Sequence, residues 1–171
     1  EIQSLAIGTF IVMMVTFLYF PGLMISIKSQ YDIFKDENEW LGIILITEYN
    51  VFDYIGRQFI SRWRWFITPR NIVAVSILRG VIVYPLFWVL SKGYIVSDIV
   101  LHVANIFGAV SNGYLICLMF IFLSDLSEKR KKRRTDNSTY NHISATIMTL
   151  ALNSGILVGS IFAIVIEKYL L

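Results

Sequence analysis

Residues 50–57 read NVFDYIGR. They lie within residues 41–61, LGIILITEYNVFDYIGRQFIS. That stretch is as long as a helix must be to cross a hydrocarbon core of about 30 Å at about 1.5 Å per residue. It is nonetheless charged at Glu48, Asp53 and Arg57. Charge in lipid is expensive, and it is retained where it meets a partner, protein or water. Asp53 and Arg57 stand four apart, which puts them on one face of one helix in pairing range. Asn50 is one turn before Asp53 on nearly the same face. The three form a polar stripe that needs protein or water beside it.

The rest of the chain supplies the setting. Of its 171 residues, 56% are hydrophobic and 16% charged, with a mean hydropathy of +0.65. Soluble domains are far more polar. Five stretches read as membrane spans: residues 4–26, 41–61, 72–90, 95–123 and 144–166. All are too long and too apolar for sandwich strands, so the fold class is an all-α polytopic membrane protein, one bundle of five helices. Glycines inside the spans are ordinary for membrane helices. The single cysteine, Cys117, has no internal disulfide partner, and His102 and His142 stand alone as packing or loop residues. No cluster has metal-ligand spacing. No nucleophile–base set or phosphate loop suggests an enzyme, and no cofactor is expected.

Loop charge orients the bundle. The loop at 28–40 is acidic on balance, through Asp32, Asp36, Glu37 and Glu39. The next carries Arg62, Arg64 and Arg70, and the long loop at 124–143 holds EKRKKRR at 128–134. Basic short loops stay in the cytoplasm, so the N-terminus of this segment is expected inside and its C-terminus outside. Trp63 and Trp65 would then mark the inner interface, Trp40 and Tyr94 the outer one. A basic run can also be a nuclear address or a nucleic-acid patch. Between two spans it reads instead as a topology determinant touching anionic lipid, with no nucleic-acid partner. The sequon at 137–139 falls on the cytoplasmic side, where it stays bare.

Arg79 in the third span reaches a depth similar to that of Asp53, so Asp53 can pair with Arg57 or with Arg79. The plain alternative to a functional site is an ion pair that fixes helix packing. Glu48, five residues before Asp53, points to another face and is either proton-sensitive or a packing or outer-cavity residue. Span four carries Asn105, Ser111 and Asn112 beside Gly108 and Gly113; such amides bond across helices or to a ligand. In span five, Ala151, Gly155, Gly159 and Ala163 form a small-residue ridge for tight packing. Asn153 lies off that ridge, toward a cavity or a neighbour. Pro21 and Pro85 free backbone carbonyls and are expected to kink their helices.

Taken in order, these motifs resemble the equilibrative nucleoside transporters. FPG stands at 20–22, NVFDYIGR at 50–57, LRGVIVYP with Arg79 and Pro85 at 78–85, and SNGY at 111–114, before a long basic loop and a glycine-rich last helix. The resemblance covers nearly the whole chain and is to the C-terminal five-helix half of that family. It implies a major-facilitator-like fold and facilitative, alternating-access transport of nucleosides or nucleobases. It also implies a partner for this chain, the N-terminal six-helix half of the same carrier, and a place in the plasma membrane bilayer. Asp53 and Arg57 match the family's residues tied to ribose hydroxyl recognition, and Asn50 matches the asparagine before them. Arg79, Ser111, Asn112, Glu48 and Asn153 remain site or packing residues. Glu48 has no counterpart in the family pattern, which leaves proton coupling open. The chain begins at Glu1 directly before an apolar run, so it is expected to be a piece of a longer protein. Two other readings stay open. One is a half-length membrane protein without transport, as assembly partner or remnant. The other is a carrier of another small polar solute.

Overall fold

In hydrocarbon every backbone N–H and C=O must be bonded within its own segment, so long apolar runs fold as helices. The computed structural model describes residues 1–20, 24, 38–59, 67–92, 98–132 and 138–170. Among them stand five helices and no strand: α1 (Ile2–Tyr19), α2 (Asn38–Phe59), α3 (Ile72–Ser91), α4 (Asp98–Lys132) and α5 (Ser138–Leu170). Of these, α1, α3, α4 and α5 are long and apolar enough to cross a membrane. With its 22 residues, α2 has the length, about 33 Å, but its charged residues dilute its apolar character. The chain is an all-helical polytopic membrane protein, with four of the five expected spans supported by length and composition.

The helix ends differ from expectation in two places. α1 stops at Tyr19 rather than near residue 26, and Phe20 is extended, at φ −105° and ψ 130°. Proline disfavours the helical region for the residue before it, and Pro21 follows. Pro21 itself lies outside the described residues, as do Arg62, Trp63, Arg64, Trp65, Tyr94 and Asn137. Most of the expected loop at 124–143 is helix, because α4 continues to Lys132 and α5 starts at Ser138. α3 continues through Pro85.

Packing centres on α1, which meets α3, α4 and α5, while α2 lies against α4. Leu5, Thr9, Val12, Thr16 and Tyr19 are all buried on α1, at alternating steps of four and three that trace one helix face. α5 approaches α1 at Gly155 and Gly159, where an added Cβ would come within 2.6 Å of the Phe10 carbonyl oxygen and 2.5 Å of that of Met14. Two residues of the small ridge therefore set that contact. α2 and α4 touch backbone to backbone: a Cβ on Gly113 would overlap the Asp53 carbonyl, and one on Gly56 that of Val110.

The apolar interior is divided. One cluster gathers Tyr19, Leu45, Tyr49, Val83, Phe87, Leu101 and their neighbours. The other gathers Leu5, Val12, Ile72, Leu115, Met119 and Met148 with theirs. Arg79 on α3 and Asn112 on α4 each fall between the two sets along their helices, Thr16 on α1 falls within the first, between Val15 and Tyr19, and Asp53 on α2 follows it. A polar layer is thus enclosed by apolar side chains, where each hydrogen bond is electrostatically stronger and each unmet group costs more.

Candidate functional site

Asp53 is the anion of this layer. It is buried, and both carboxylate oxygens have donors. Arg57, one turn on, donates to Oδ2 from Nε at 2.9 Å and from a terminal nitrogen at 2.7 Å. Asn112 of α4 donates its amide to Oδ1 at 2.7 Å. Of the two bases weighed for Asp53, the structure pairs it with Arg57. The Arg57 side chain is 49% exposed while that of Asp53 is 13%, so the cation caps the carboxylate from the outer face of α2.

Arg79 is buried on α3 and forms no ion pair among the described residues. Its guanidinium instead donates to the Ser111 hydroxyl at 2.9 Å and the Gly108 carbonyl at 3.0 Å on α4. On α1 it reaches the Thr16 hydroxyl at 3.1 Å, the Tyr19 hydroxyl at 3.3 Å and the Val12 carbonyl at 3.4 Å. Ser111 in turn donates to the Gly108 carbonyl at 3.0 Å. The planar, multiply donating guanidinium suits this arrangement of oxygens as an ammonium would not. Tyr19 is also stacked on Phe87, with ring centroids 4.4 Å apart, which holds its hydroxyl in place. Thr16 completes the layer by donating to Asn112 Oδ1 at 2.7 Å.

The other sequence-predicted residues divide. Glu48 belongs to a second cluster on the same two helices. Its Oε2 lies 3.0 Å from His102 Nδ1 and accepts from Asn105 at 2.7 Å. His102 is therefore no isolated residue: it faces a carboxylate that sequence spacing could not place. The Asn105 amide also donates to the Leu45 carbonyl at 2.9 Å, and its own oxygen, buried, has no partner. Asn50 is exposed, and its amide turns back to the Ile46 carbonyl at 2.9 Å. The expected stripe is thus split, with Asn50 and Arg57 outward and Asp53 turned into α4. Asn153 is exposed on α5. Sequence reasoning missed Thr16 and gave Tyr19 no individual role. The available signal was a hydroxyl at a heptad step from Thr9, on the face of α1 that is otherwise Leu5 and Val12.

No group of three metal-ligating side chains occurs among the described residues. A cavity of about 210 Å³ lies at the other end of the bundle, lined by Ile2, Phe120, Ser124, Ser127, Asn141 and Ser144 among others, and holds none of the residues above. The site is therefore a layer of directed hydrogen bonds around one compensated carboxylate, open on the Arg57 side. It can accept hydrogen bonds from a polar, uncharged solute without exposing a bare charge to lipid.

Residues 1–168 match the sequence model that describes the nucleoside transporters. Equilibrative nucleotide transporter 8 of Arabidopsis thaliana is 26% identical over 164 residues, 94% of this chain and 38% of the plant protein. Nucleoside transporter 1.2 of Leishmania donovani is 24% identical over 157 residues, 90% of this chain and 29% of that protein. The chain thus spans well under half the length of these curated relatives. No solved structure matches it.

Proposed function

This chain belongs to the nucleoside transporter family, and on that premise we propose that it forms the C-terminal part of a carrier that moves nucleosides down their gradients by alternating access. The observation that carries the reading is Asp53, buried with both oxygens engaged and neutralised by a half-exposed Arg57. A carboxylate with lone pairs to spare accepts from vicinal sugar hydroxyls, and a bound guanidinium keeps it charged and aimed. The pair is neutral overall, which favours an uncharged nucleoside. A phosphate dianion would meet the Asp53 carboxylate at the same place.

The outer face of α2 supports the second part of the reading. Asn50, Tyr54 and Arg57 are all exposed there. Facing lipid, Asn50 and Arg57 would each be costly; facing water and protein, they line a path. We assign that face to the boundary with an N-terminal six-helix half, α2 to a membrane span beside the other four, and the N-terminus of this segment to the cytoplasmic side of the plasma membrane.

Labelled adenosine uptake tests this, in cells lacking their own carriers and expressing the full reading frame that contains this chain. The expected result is saturable uptake blocked by unlabelled nucleosides, lost in Asp53→Asn and in Arg57→Ala while both variants reach the surface. Unchanged uptake in both variants overturns the assigned roles. Absence of uptake from a surface-confirmed protein favours another solute or a role without transport.

A further inference from the structure

We infer that Thr16 is a positioning residue for Asp53, the middle link of a one-way hydrogen-bond relay that runs from Arg79 through Thr16 and Asn112 to the carboxylate. This deepens the nucleoside-carrier reading and rests on it.

Each link is forced by its neighbours. Asp53 can only accept, so the Asn112 group facing it at 2.7 Å is the amide nitrogen. The Asn112 oxygen therefore points the other way and must accept, which makes Thr16 the donor at 2.7 Å. The single Thr16 proton is then spent, and its oxygen accepts from Arg79, which can only donate, at 3.1 Å. No amide flip or hydroxyl rotation satisfies all three contacts another way. Every donor points toward Asp53, so the dipoles add and the buried cation is felt at the carboxylate through two neutral side chains.

Thr16 stands apart from other helical threonines of this chain. Thr9, Thr47, Thr146 and Thr149 each donate to the carbonyl four residues back, the ordinary local bond of a helix threonine. Thr16 does not donate to Val12; that carbonyl receives Arg79 instead. The Thr16 proton is thereby released for Asn112. The relay crosses from α3 through α1 and α4 to α2, so the orientation of the carboxylate depends on all four helices holding register.

The experiment uses the full carrier with Thr16→Val, Thr16→Ala and Thr16→Ser, reading adenosine uptake and its competition by 2′,3′-dideoxyadenosine. Valine keeps the shape and loses the relay, leaving the Asn112 oxygen without a donor. The expected result is a KM for adenosine raised about fivefold, with dideoxyadenosine inhibition unchanged and Thr16→Ser close to wild type. Thr16→Ala gives the same shift with less packing constraint. A purely structural threonine moves both solutes together, or moves maximal uptake at constant KM, and either result overturns the relay. Equal KM in alanine and threonine forms overturns it as well. Asp53→Asn run alongside separates the two levels: saturable uptake surviving there sinks the reading of the site itself, whereas its loss beside an unaltered Thr16→Val sinks only the relay.

Discussion

Two carboxylates on α2 are held in nearly the same way, and only one is completed. Asp53 and Glu48 each accept an asparagine amide from α4 at 2.7 Å, and each has a nitrogen base within 3.0 Å. Asn112, which serves Asp53, is itself bonded onward to Thr16 and so to α1 and α3. Asn105, which serves Glu48, ends in an oxygen with no partner. The bases differ too. Arg57 stands one turn away on the same helix, and His102 sits on the facing one. The same acid–amide–base pattern therefore makes a closed cluster in one place and an open one a turn and a half away. What separates them is whether α1 stands behind the asparagine.

Removing the close approach that both clusters share gives the largest effect. Gly113→Val puts a side chain where the Asp53 carbonyl lies. Overpacking of this kind costs on the order of 1–3 kcal/mol even where side chains can yield, and backbone cannot yield as they do. Detergent-solubilised protein is expected to lose folded yield and melt well below wild type, whereas an unaltered melting temperature would show that α2 and α4 are not pinned there. Next in size is the loss of one partner from the closed cluster. Asn112→Leu leaves a donor on Thr16 and one oxygen of Asp53 unmet, and Asn105→Leu strips one bond from Glu48. The first is expected to cost about 1–3 kcal/mol by the usual weight of unsatisfied buried groups, and the second less, since that asparagine carries an unmet oxygen already. Equal melting temperatures in the two variants would dissolve the contrast.

Loss of the base from the open cluster is a smaller effect and sharpens the comparison from the other side. His102→Leu takes from Glu48 the ring nitrogen at 3.0 Å and leaves the Asn105 amide at 2.7 Å, whereas Arg57→Leu takes from Asp53 both guanidinium bonds. The first is expected to lower uptake less than the second. Equal losses in the two variants would remove the contrast between the clusters. The least effect belongs to Asn153→Leu on the exposed face of α5, expected within about 0.5 kcal/mol of wild type. A large loss of uptake there would place a site feature on α5 that the polar layer does not contain.

Much of this was legible in the chain. Helicity, membrane character and the Asp53–Arg57 pair follow from apolar run length and a spacing of four, both local properties. Gly155 and Gly159 were legible as a contact surface, because small residues at that spacing leave a groove whatever lies opposite. The loop at 124–143 was misjudged, since charged residues such as Glu128 and Lys129 continue a helix beyond the apolar segment as readily as they end it. His102 was read as isolated because its partner is 54 residues away on α2.

Thr16 shows where the reach of sequence stops. An apolar helix such as α1 has no polar face to declare which side turns inward, so its rotation is set by neighbours. Those neighbours are the carbonyls of Phe10 and Met14 under the α5 glycines, and Gly80 of α3 against Val15. That rotation brings the Thr16 hydroxyl to Asn112 and Arg79. The sequence by itself determined that Asp53 would have a base within one turn, because helix geometry guarantees it. Only the tertiary structure decided that the base is Arg57 and not Arg79, that Arg79 is held by hydroxyls and carbonyls, and that Asn112 and Thr16 stand between them. A bond within one turn is enforced by a fixed pitch; a bond across helices depends on how whole surfaces, here closed by glycine, come to rest on one another.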